Sequence, residues 1–384
     1  MDKTKKMISG VIALAIAVAV IVVSSINFLA VRDTPYPKKG PGVTEIRMLS
    51  EWFPGLAGTN GDSQVYVLEG KQPGGKMLLL GGTHANEVSG YMSATLFIEN
   101  AVVEQGTVYV IPYVNHSAMT HNDPGEGNLQ YFTLNTKSGE RTFRYGSRAT
   151  NPIDQWPDPD VYVHYPSGQQ LSGSETRNIN RAYPGRPDGN ITEKEAYAVM
   201  ELIRNEGVNI GFDLHEASPE YPVINATVAH NNSMDVASVG CMNILMQGIE
   251  MSLEVSPTNF HGLTHREWGD NSDINVAILM ETANASQGRL RGATNIEQVL
   301  GGRDKCYTLS EKLGMLYVPW TEVGHPIEER CGRHLQGVYE YSQAYNEVHP
   351  EAPVVYSGVP NYQDLYLSAA REDLNGTHLA TFLM

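Results

Sequence analysis

Short apolar runs alternate along the chain with segments whose apolar residues recur every three or four positions. Two runs, at residues 65 to 68 and 77 to 80, predict strands that form a hairpin or lie side by side. Residues 86 to 100 predict a helix, and residues 107 to 114 predict the next strand. This order of strand, strand, helix and strand favours an α/β fold.

The pattern changes in residues 115 to 190, which are rich in Gly, Pro, Asn, Asp and Tyr and show little apolar periodicity. A loop region of this length inside a compact domain is usually functional or disordered. Its aromatic and arginine content favours an ordered wall around a site.

Regular elements resume after this loop region. A capping box of Thr192 and Glu195 predicts the start of a helix that ends at Gly207. The later strands are predicted at residues 208 to 214, 223 to 228 and 276 to 280, and the later helices at residues 234 to 251, 296 to 313 and 337 to 348.

The N-terminus carries a separate signal. Residues 7 to 31 contain no charged side chain and follow three lysines. A stretch of this length can span a bilayer, and preceding lysines favour a start that stays in the cytoplasm. We predict an uncleaved transmembrane anchor at residues 1 to 31, a linker at 32 to 44 and one domain at 45 to 384. A cleaved signal peptide is the alternative, and either places the domain outside the cytoplasm.

Charge and cysteine content exclude some classes of function. The formal net charge of −16 argues against a nucleic-acid partner, because binding to phosphates needs clustered Lys and Arg. Cys241, Cys306 and Cys331 lack metal-ligand spacing, and we expect them to be buried thiols.

Side chains of the types that bind metals come at or just after the ends of three predicted strands. They are His84 with Glu87, His215, and Glu281. The carboxyl ends of strands in an open α/β sheet converge on one crevice. Two histidines and a glutamate there predict a zinc site with a fourth position open for water, whose pKa zinc lowers to about 7. Glu281 would then be the general base.

Other patterns carry less weight. A second His-x-x-Glu, formed by His325 and Glu328, is interpreted as a surface loop because it contains a proline and follows no apolar run. His261, His265 and Arg266 are interpreted as an ordinary polar loop, with substrate contact as the alternative. The chain has no Gly-x-Ser-x-Gly motif, which argues against a serine hydrolase.

Four motifs resemble the zinc-dependent carboxypeptidase superfamily and, within it, the succinylglutamate desuccinylase and aspartoacylase family. In chain order they are Gly81-Gly82-Thr83-His84-Ala85-Asn86-Glu87, Asn178-Ile179-Asn180-Arg181, Asp213-Leu214-His215 and Met280-Glu281-Thr282. The resemblance covers roughly residues 60 to 290. It implies a carboxypeptidase-like α/β fold, with a mixed β-sheet flanked by helices.

The resemblance also implies roles for individual residues. By position, the zinc ligands are His84, Glu87 and His215, the catalytic glutamate is Glu281, and the pair that binds the substrate carboxylate is Asn180 and Arg181. One Zn²⁺ per chain follows from this set. An arginine suits a carboxylate because its guanidinium can donate two parallel hydrogen bonds.

The match leaves two points open. In the family a further arginine polarises the scissile carbonyl, and here the candidates are Arg148 and Arg177. We favour Arg148 as the catalytic arginine and assign Arg177 to the substrate-binding set. Asp213 is either a structural carboxylate or a partner of the ligand His215.

Together these observations predict a membrane-tethered zinc amidohydrolase that cleaves an amide bond next to a free carboxylate. Its partner would be a small molecule or peptide bearing that carboxylate, and the first choice is an N-acyl amino acid that it deacylates. An exported metallocarboxypeptidase acting on peptides or cell-wall peptides is the alternative within the superfamily. The alternative of another class is a non-catalytic, membrane-anchored binding protein with the same fold.

Overall fold

The computed structural model describes residues 3–123 and 128–384. Residues 1 and 2 of the predicted anchor and residues 124–127 of the predicted loop region lie outside the described residues. The helices, α1 to α10 in chain order, are Lys3–Ala30, Val88–Asn100, His116–Met119, Ile191–Glu206, Met234–Met246, Thr264–Asn271, Ile296–Val299, Lys305–Lys312, Ile327–Val348 and Thr377–Ala380.

The strands, β1 to β13 in chain order, are Glu45–Met48, Gln64–Glu69, Gln72–Leu80, Val102–Ile111, Tyr131–Thr136, Gly139–Arg144, Val161–Val163, Gln170–Ser172, Ile210–Ala217, Ala226–Ala229, Ser252–Val255, Val276–Ala283 and Val355–Ser357. The main sheet has the order β1-β2-β4-β3-β9-β12-β10-β11, with β13 paired to β4. Strands β3, β4, β9 and β12 are parallel to their neighbours in this set. Their carboxyl ends therefore lie at one edge of the sheet.

Helices cover both faces of this mixed sheet, as predicted. On one face, residues of α2, α5 and α9 pack with Leu79, Phe212 and Met280 in the larger core. On the other face, residues of α4 and α6 pack with Leu78 and Ala277 in a second core. Because side chains alternate between the two faces of a strand, burial of both faces explains why the central strands are continuous apolar runs.

The predicted pairing of the first two strands is wrong. Strands β2 and β3 do not pair with each other, because each pairs with β4, which lies between them. The chain leaves β3 through α2 and returns as β4 parallel to β3. A turn signal in the sequence marks only where a strand ends, and the crossover decides which strand lies beside it.

Helix α4 begins earlier than predicted. Its capping box consists of Asn190 and Glu193, whose side chains each accept the other's backbone N–H at 2.9 and 3.0 Å. Thr192 and Glu195 are buried within the helix. Gly207 ends α4 as predicted, since its φ of 65° is left-handed.

The later elements differ from their predictions mainly in length. Helix α5 ends at Met246, and the helix predicted over residues 296 to 313 is divided into α7 and α8. Gly302 lies between them with a φ of 63°, which an α-helix cannot contain. Helix α9 begins at Ile327, ten residues before the predicted start.

The described part of residues 115 to 190 is ordered, as predicted. It holds two hairpins, β5 with β6 and β7 with β8, separate from the main sheet. Phe132 and Phe143 are buried and stack with ring centroids 5.6 Å apart. Because each of these strands has only three to six residues, the polar and turn residues around them hide the alternation of apolar side chains in the sequence.

The N-terminal helix α1 has 28 residues, none of them buried. It is long enough and apolar enough to cross a membrane. A signal sequence has the same length and composition, so these properties alone do not separate an anchor from a signal peptide. The predicted linker after it packs on the domain in part, since the hydroxyls of Tyr66 and Tyr113 donate to the carbonyls of Pro37 and Pro35 at 2.8 and 2.9 Å.

Cys241 and Cys331 are buried, whereas Cys306 is partly exposed, which corrects the prediction for that thiol. All three are free thiols, so no disulfide links any two of them.

The second His-x-x-Glu does not lie in a surface loop. His325 and Glu328 are both buried at the start of α9. His325 Nδ1 lies 2.9 Å from a carboxylate oxygen of Glu329, and Glu328 Oε1 accepts the backbone N–H of Gly376 at 2.8 Å. The C-terminal segment buries this motif, which its local sequence does not show.

Burial raises the pKa of Glu328 from 4.5 to about 7. Its Oε2 is buried without a hydrogen-bond partner among the described residues. The folded state therefore keeps a proton that the unfolded chain loses. The stability contributed by this carboxyl is complete below the unfolded pKa of 4.5 and is lost as the pH rises through about 7.

We predict that Glu328→Gln makes the protein more stable than wild type at high pH only. The difference in free energy of unfolding should grow by about 2 kcal/mol between pH 5 and pH 8. Urea unfolding of the full chain in detergent, at several pH values, measures the free energy of unfolding of the variant and of wild type. Glu347→Gln, on the exposed face of the same helix, is the control and should show no such trend. A pH-independent difference for Glu328→Gln would contradict this assignment.

Candidate metal centre

The side chains of His84, Glu87 and His215 meet at the edge of the sheet where β3, β9 and β12 lie side by side. His84 and Glu87 lie in the turn between β3 and α2, and His215 lies within β9. Glu281 in β12 is paired with His215. Strands β9 and β12 each extend three residues beyond their predicted ends, so His215 and Glu281 lie inside these strands. One ligand atom from each of His84, Glu87 and His215 lies within 4.8 Å of the others.

Two glycines shape the turn that presents His84 and Glu87. A Cβ on Gly81 would lie 2.7 Å from the carbonyl oxygen of Gly90, and one on Gly82 would lie 2.8 Å from that of Pro112. Gly82 also has a φ of 68°. The turn passes so close to α2 and to the end of β4 that larger residues would push it outward.

His84 is held at both ring nitrogens. Its Nδ1 lies 2.7 Å from Glu87 Oε1, and its Nε2 lies 2.9 Å from Asn178 Oδ1. Asn178 Oδ1 also accepts the backbone N–H of Asn180, which identifies it as the amide oxygen. His84 Nε2 therefore donates to Asn178, and in the neutral ring Nδ1 carries the lone pair.

His215 has a matching arrangement. Its Nδ1 lies 2.9 Å from Glu87 Oε2, and its Nε2 donates to Asp213 Oδ2 at 2.8 Å. Asp213 is fully buried and also accepts the hydroxyls of Thr83 and Thr264 at 2.6 and 2.8 Å. Asp213 is thus a direct partner of His215, and both imidazoles direct Nδ1 toward Glu87.

The electrostatics of these residues fit a cation. Burial, together with the charge of Arg148, lowers the pKa of His84 to about 4. The neutral ring then places a lone pair 2.7 Å from a carboxylate oxygen, and the guanidinium of Arg148, which contacts both atoms, offsets part of their repulsion. Although burial alone would lower the pKa of His215, the carboxylates of Asp213 and Glu87 raise it. Two imidazoles and one carboxylate form a donor set that suits zinc.

Glu281 lies beside this group. It lines the same cavity as His84 and Glu87 and is only partly exposed. Its Oε2 has no hydrogen-bond partner among the described residues. Burial raises the pKa of Glu281 to about 8. With this pKa the carboxyl can both lose and gain a proton near neutral pH, as a group that acts as general base and then as general acid must.

The structure separates the two candidate arginines. Arg148 lines the cavity, and its Nη1 lies 3.2 Å from His84 Nδ1 and 3.4 Å from Glu87 Oε1. Arg177 does not line it. Its guanidinium donates to both oxygens of Asp158 at 2.7 and 2.9 Å and to a backbone carbonyl. The geometry therefore brings Arg148, and not Arg177, to the candidate ligands.

Asn180 and Arg181 both line the cavity. Asn180 Oδ1 accepts the backbone N–H of Thr264 at 3.0 Å, which fixes its amide group. The guanidinium carbon of Arg181 lies 5.0 Å from the centre of the Phe260 ring. Its Nη1 donates to the backbone carbonyl of Asn180 at 2.7 Å, and its Nε lies 3.7 Å from a carboxylate oxygen of Glu175.

The cavity holds about 570 Å³ and is lined by two of the candidate ligands, His84 and Glu87, by Arg148 and Arg181, and by further polar and apolar side chains. His265 also lines it, at the start of α6 and not in a loop. Neither His261 nor Arg266 is among the lining residues, because they pair with Glu267 and Asp270 at 2.9 and 2.8 Å.

Sequence reasoning missed two partners of the candidate ligands. Asn178, although part of a motif, had no role assigned, and the structure places it on His84. The backbone N–H of Glu216 donates to Glu87 Oε2 at 3.0 Å, while its side chain pairs with the buried Arg330. The contacts of Asn178 with His84 and of Glu216 with Glu87 join segments far apart in the chain. The position of Asn178 at the start of a motif was therefore the only local sign of these contacts.

The fold and the site together define an α/β protein with a mixed sheet flanked by helices and a candidate metal centre at the edge of that sheet. No protein-family model matches the chain, and no curated protein matches it. Solved structures do match, at low sequence identity.

Three of the matching structures are the following. The ectoine utilization protein EutE (DoeB) from Ruegeria pomeroyi is 19% identical with a TM-score of 0.35, over 57% of this chain and 53% of that one. A succinylglutamate desuccinylase from Silicibacter sp. has the same identity and TM-score, over 57% and 52%. The tripeptide-bound cell shape determinant Csd4 from Helicobacter pylori is 11% identical with a TM-score of 0.44, over 82% and 59%.

The chain thus spans about half the length of the first two proteins. The matches also include an aspartoacylase family protein from Mesorhizobium loti. Proteins of the succinylglutamate desuccinylase and aspartoacylase family, which the four motifs resemble, are thus among the matching structures.

We predict that Asp213→Asn weakens zinc binding by about 10- to 100-fold, because the amide lacks the charge that holds the Nε2 proton of His215. Competition with a chelating dye measures the affinity of the full chain. Asp235→Asn, at an exposed aspartate of α5, is the control. Equal affinities for the two variants would show that Asp213 does not support the ligand.

Proposed function

We propose that this protein is a zinc-dependent amidohydrolase that cleaves an amide bond next to a free carboxylate. The observation that carries the proposal is the unpartnered Oε2 of Glu281 beside the group of His84, Glu87 and His215. Arg181 lines the same cavity and supplies a positive charge for the substrate carboxylate. A proton acceptor, a metal site and a carboxylate anchor are the parts that this reaction needs.

The donor atoms for the metal would be Nδ1 of His84, Nδ1 of His215 and the carboxylate of Glu87, which lie within 4.8 Å of one another. When bound, a zinc ion supplies Lewis acidity for the amide carbonyl and lowers the pKa of water. Asn178 and Asp213 hold the Nε2 protons, and this keeps both Nδ1 lone pairs directed inward.

Glu281 moves the proton in this proposal. Its Oε2 accepts a proton from the attacking water and then delivers it to the amine nitrogen that leaves. The buried position of Oε2 without another donor keeps it free for this transfer. A protein that only binds a ligand has no need of this group, which argues against the non-catalytic alternative.

Two arginines orient the substrate. Arg148, whose Nη1 lies 3.2 Å from His84 Nδ1, is close enough to the candidate ligands to donate to the oxyanion that forms from the carbonyl. Arg181 and Asn180 bind the free carboxylate on the opposite side of the scissile bond. This spacing selects amides whose amine part is an amino acid or the C-terminal residue of a peptide.

The first choice of substrate class is N-acyl amino acids, from which the enzyme removes the acyl group. Peptides or cell-wall peptides trimmed at the C-terminus are the alternative, since the same contacts serve both. Helix α1 has the length and composition of a membrane anchor. We further propose that it tethers an extracytoplasmic catalytic domain.

We predict that Glu281→Gln lowers amide hydrolysis by about 10²- to 10⁴-fold while zinc content stays near one per chain. His84→Ala should lose both zinc and activity. Elemental analysis and release of amines from a panel of N-acyl amino acids and peptides measure the two quantities. Glu311→Gln, at an exposed residue of α8, is the control for the loss of one carboxylate.

Two results would contradict the proposal. Wild-type protein that binds no zinc would remove the metal from the mechanism. Wild-type protein that binds zinc but hydrolyses no amide in the panel would favour a binding protein.

A further inference from the structure

The cavity extends beyond the groups that the proposed reaction uses. On the side of Arg181 it continues between the sheet and the segment that leads into α6, where Phe260 and Leu263 line it. Val228 and Leu279 form its floor on the sheet and are both buried. A substrate residue whose carboxylate is bound by Arg181 would place its own side chain in this space.

We call the part of the cavity lined by Val228, Leu279, Phe260 and Leu263 the side pocket. The carboxylate of Glu254 lies at the far end of its floor. Val228 in β10 is paired with Leu279 in β12 on one side and with Glu254 in β11 on the other. Paired residues project from the same face of a sheet. Leu279, Val228 and Glu254 therefore form one row across three strands, on the face that also carries Glu281 two residues further along β12.

The length of this row suits a long side chain. Glu281 and Leu279 are about 7 Å apart along the strand, and two strand spacings cover about 10 Å, so the Cα atoms of Glu281 and Glu254 are about 12 Å apart. A fully extended lysine side chain reaches about 6 Å from Cα to Nζ, given bond lengths near 1.5 Å. The N–Cα bond of the substrate residue, about 1.5 Å, and a hydrogen-bond contact of about 3 Å at each end cover the remainder.

Glu254, an exposed residue of β11, differs from Glu87 and Glu216 in having no partner among the described residues. Glu87 contacts two histidines, and Glu216 pairs with Arg330. Among the described residues none forms an ion pair or a side-chain hydrogen bond with Glu254. The arginines thus make one end of the cavity positive, while Glu254 makes the far end of the side pocket negative.

The remaining titratable group of this pocket does not oppose a cation. His265 is buried, and its Nδ1 lies 2.8 Å from the hydroxyl of Ser256. Burial lowers the pKa of His265 to about 3, so the ring is neutral at ordinary pH. Apolar walls, a neutral imidazole and a terminal carboxylate together match an alkyl chain that ends in a positive charge.

From this geometry we infer that Glu254 selects substrates whose carboxylate-bearing residue has a long basic side chain, such as lysine or ornithine. The inference rests on the function proposed above and names its substrate class. The alkyl part of the side chain packs on Leu279 and Val228, and its ammonium group pairs with Glu254. The carboxylate of the same residue pairs with Arg181.

The test compares N-acyl-lysine with N-acyl-norleucine, which has nearly the same alkyl chain and lacks the ammonium group. The same pair is also measured as C-terminal residues of a short peptide. With zinc-loaded full chain in detergent, we expect kcat/KM for lysine to exceed that for norleucine by about fivefold at low salt, and by less at high salt.

Glu254→Gln should remove the preference by lowering the lysine rate and leaving the norleucine rate within about twofold of wild type. Glu254→Lys should move the preference from lysine toward glutamate. Glu250→Gln, at an exposed glutamate outside the cavity, is the matched control and should keep the wild-type preference.

The possible failures can be told apart. Wild-type protein that hydrolyses norleucine and lysine substrates equally, or a preference that survives in Glu254→Gln, would overturn this inference and leave the proposed function intact. Zinc-loaded protein that hydrolyses none of the substrates would overturn the proposed function, and with it this inference.

Discussion

The candidate site depends on the parallel ladder of β3, β9 and β12. This ladder pairs Leu80 with Asp213 and Glu281 with His215. A shift of one residue in either pairing would turn the paired side chain to the opposite face, into the core that α2, α5 and α9 cover. The buried apolar residues between the polar ones hold the register, because each shift would expose them and bury the polar groups. Packing of the core is therefore what sets the geometry of the site.

Burial of the polar groups beside the candidate ligands is tolerated because most of them have a specified partner. Asp213 accepts hydrogen bonds from His215 and two threonine hydroxyls, and Glu216 pairs with Arg330. Unpaired groups in such surroundings cost free energy. The unpartnered Oε2 of Glu281 is an exception, and it lies where a proton acceptor is useful. The same contrast distinguishes Glu254, which ends an otherwise apolar floor, from the paired carboxylates around it.

Sequence reasoning identified the elements that carry the site better than it identified their neighbours. The apolar run before His84 predicted β3, and the runs before His215 and Glu281 predicted β9 and β12, although each strand extends further. It placed β2 beside β3, because a local turn signal contains no information about the later crossover. Sequence reasoning favoured Arg148 over Arg177, but it could not give the contact that separates them, in which Asp158 engages Arg177 from 19 positions away.

The sequence by itself determined that this is an α/β chain with an apolar N-terminal segment, and which side chains suit a metal and a base. Periodicity and residue chemistry are local properties, so a single sequence displays them. Only the tertiary structure decided that Asn178 and Asp213 direct both imidazoles toward Glu87, that His325 and Glu328 are buried, and that Glu254 ends the side pocket. Each of these contacts joins segments distant in the chain, or strands whose order follows from the packing of the whole sheet, and local patterns do not record such pairings.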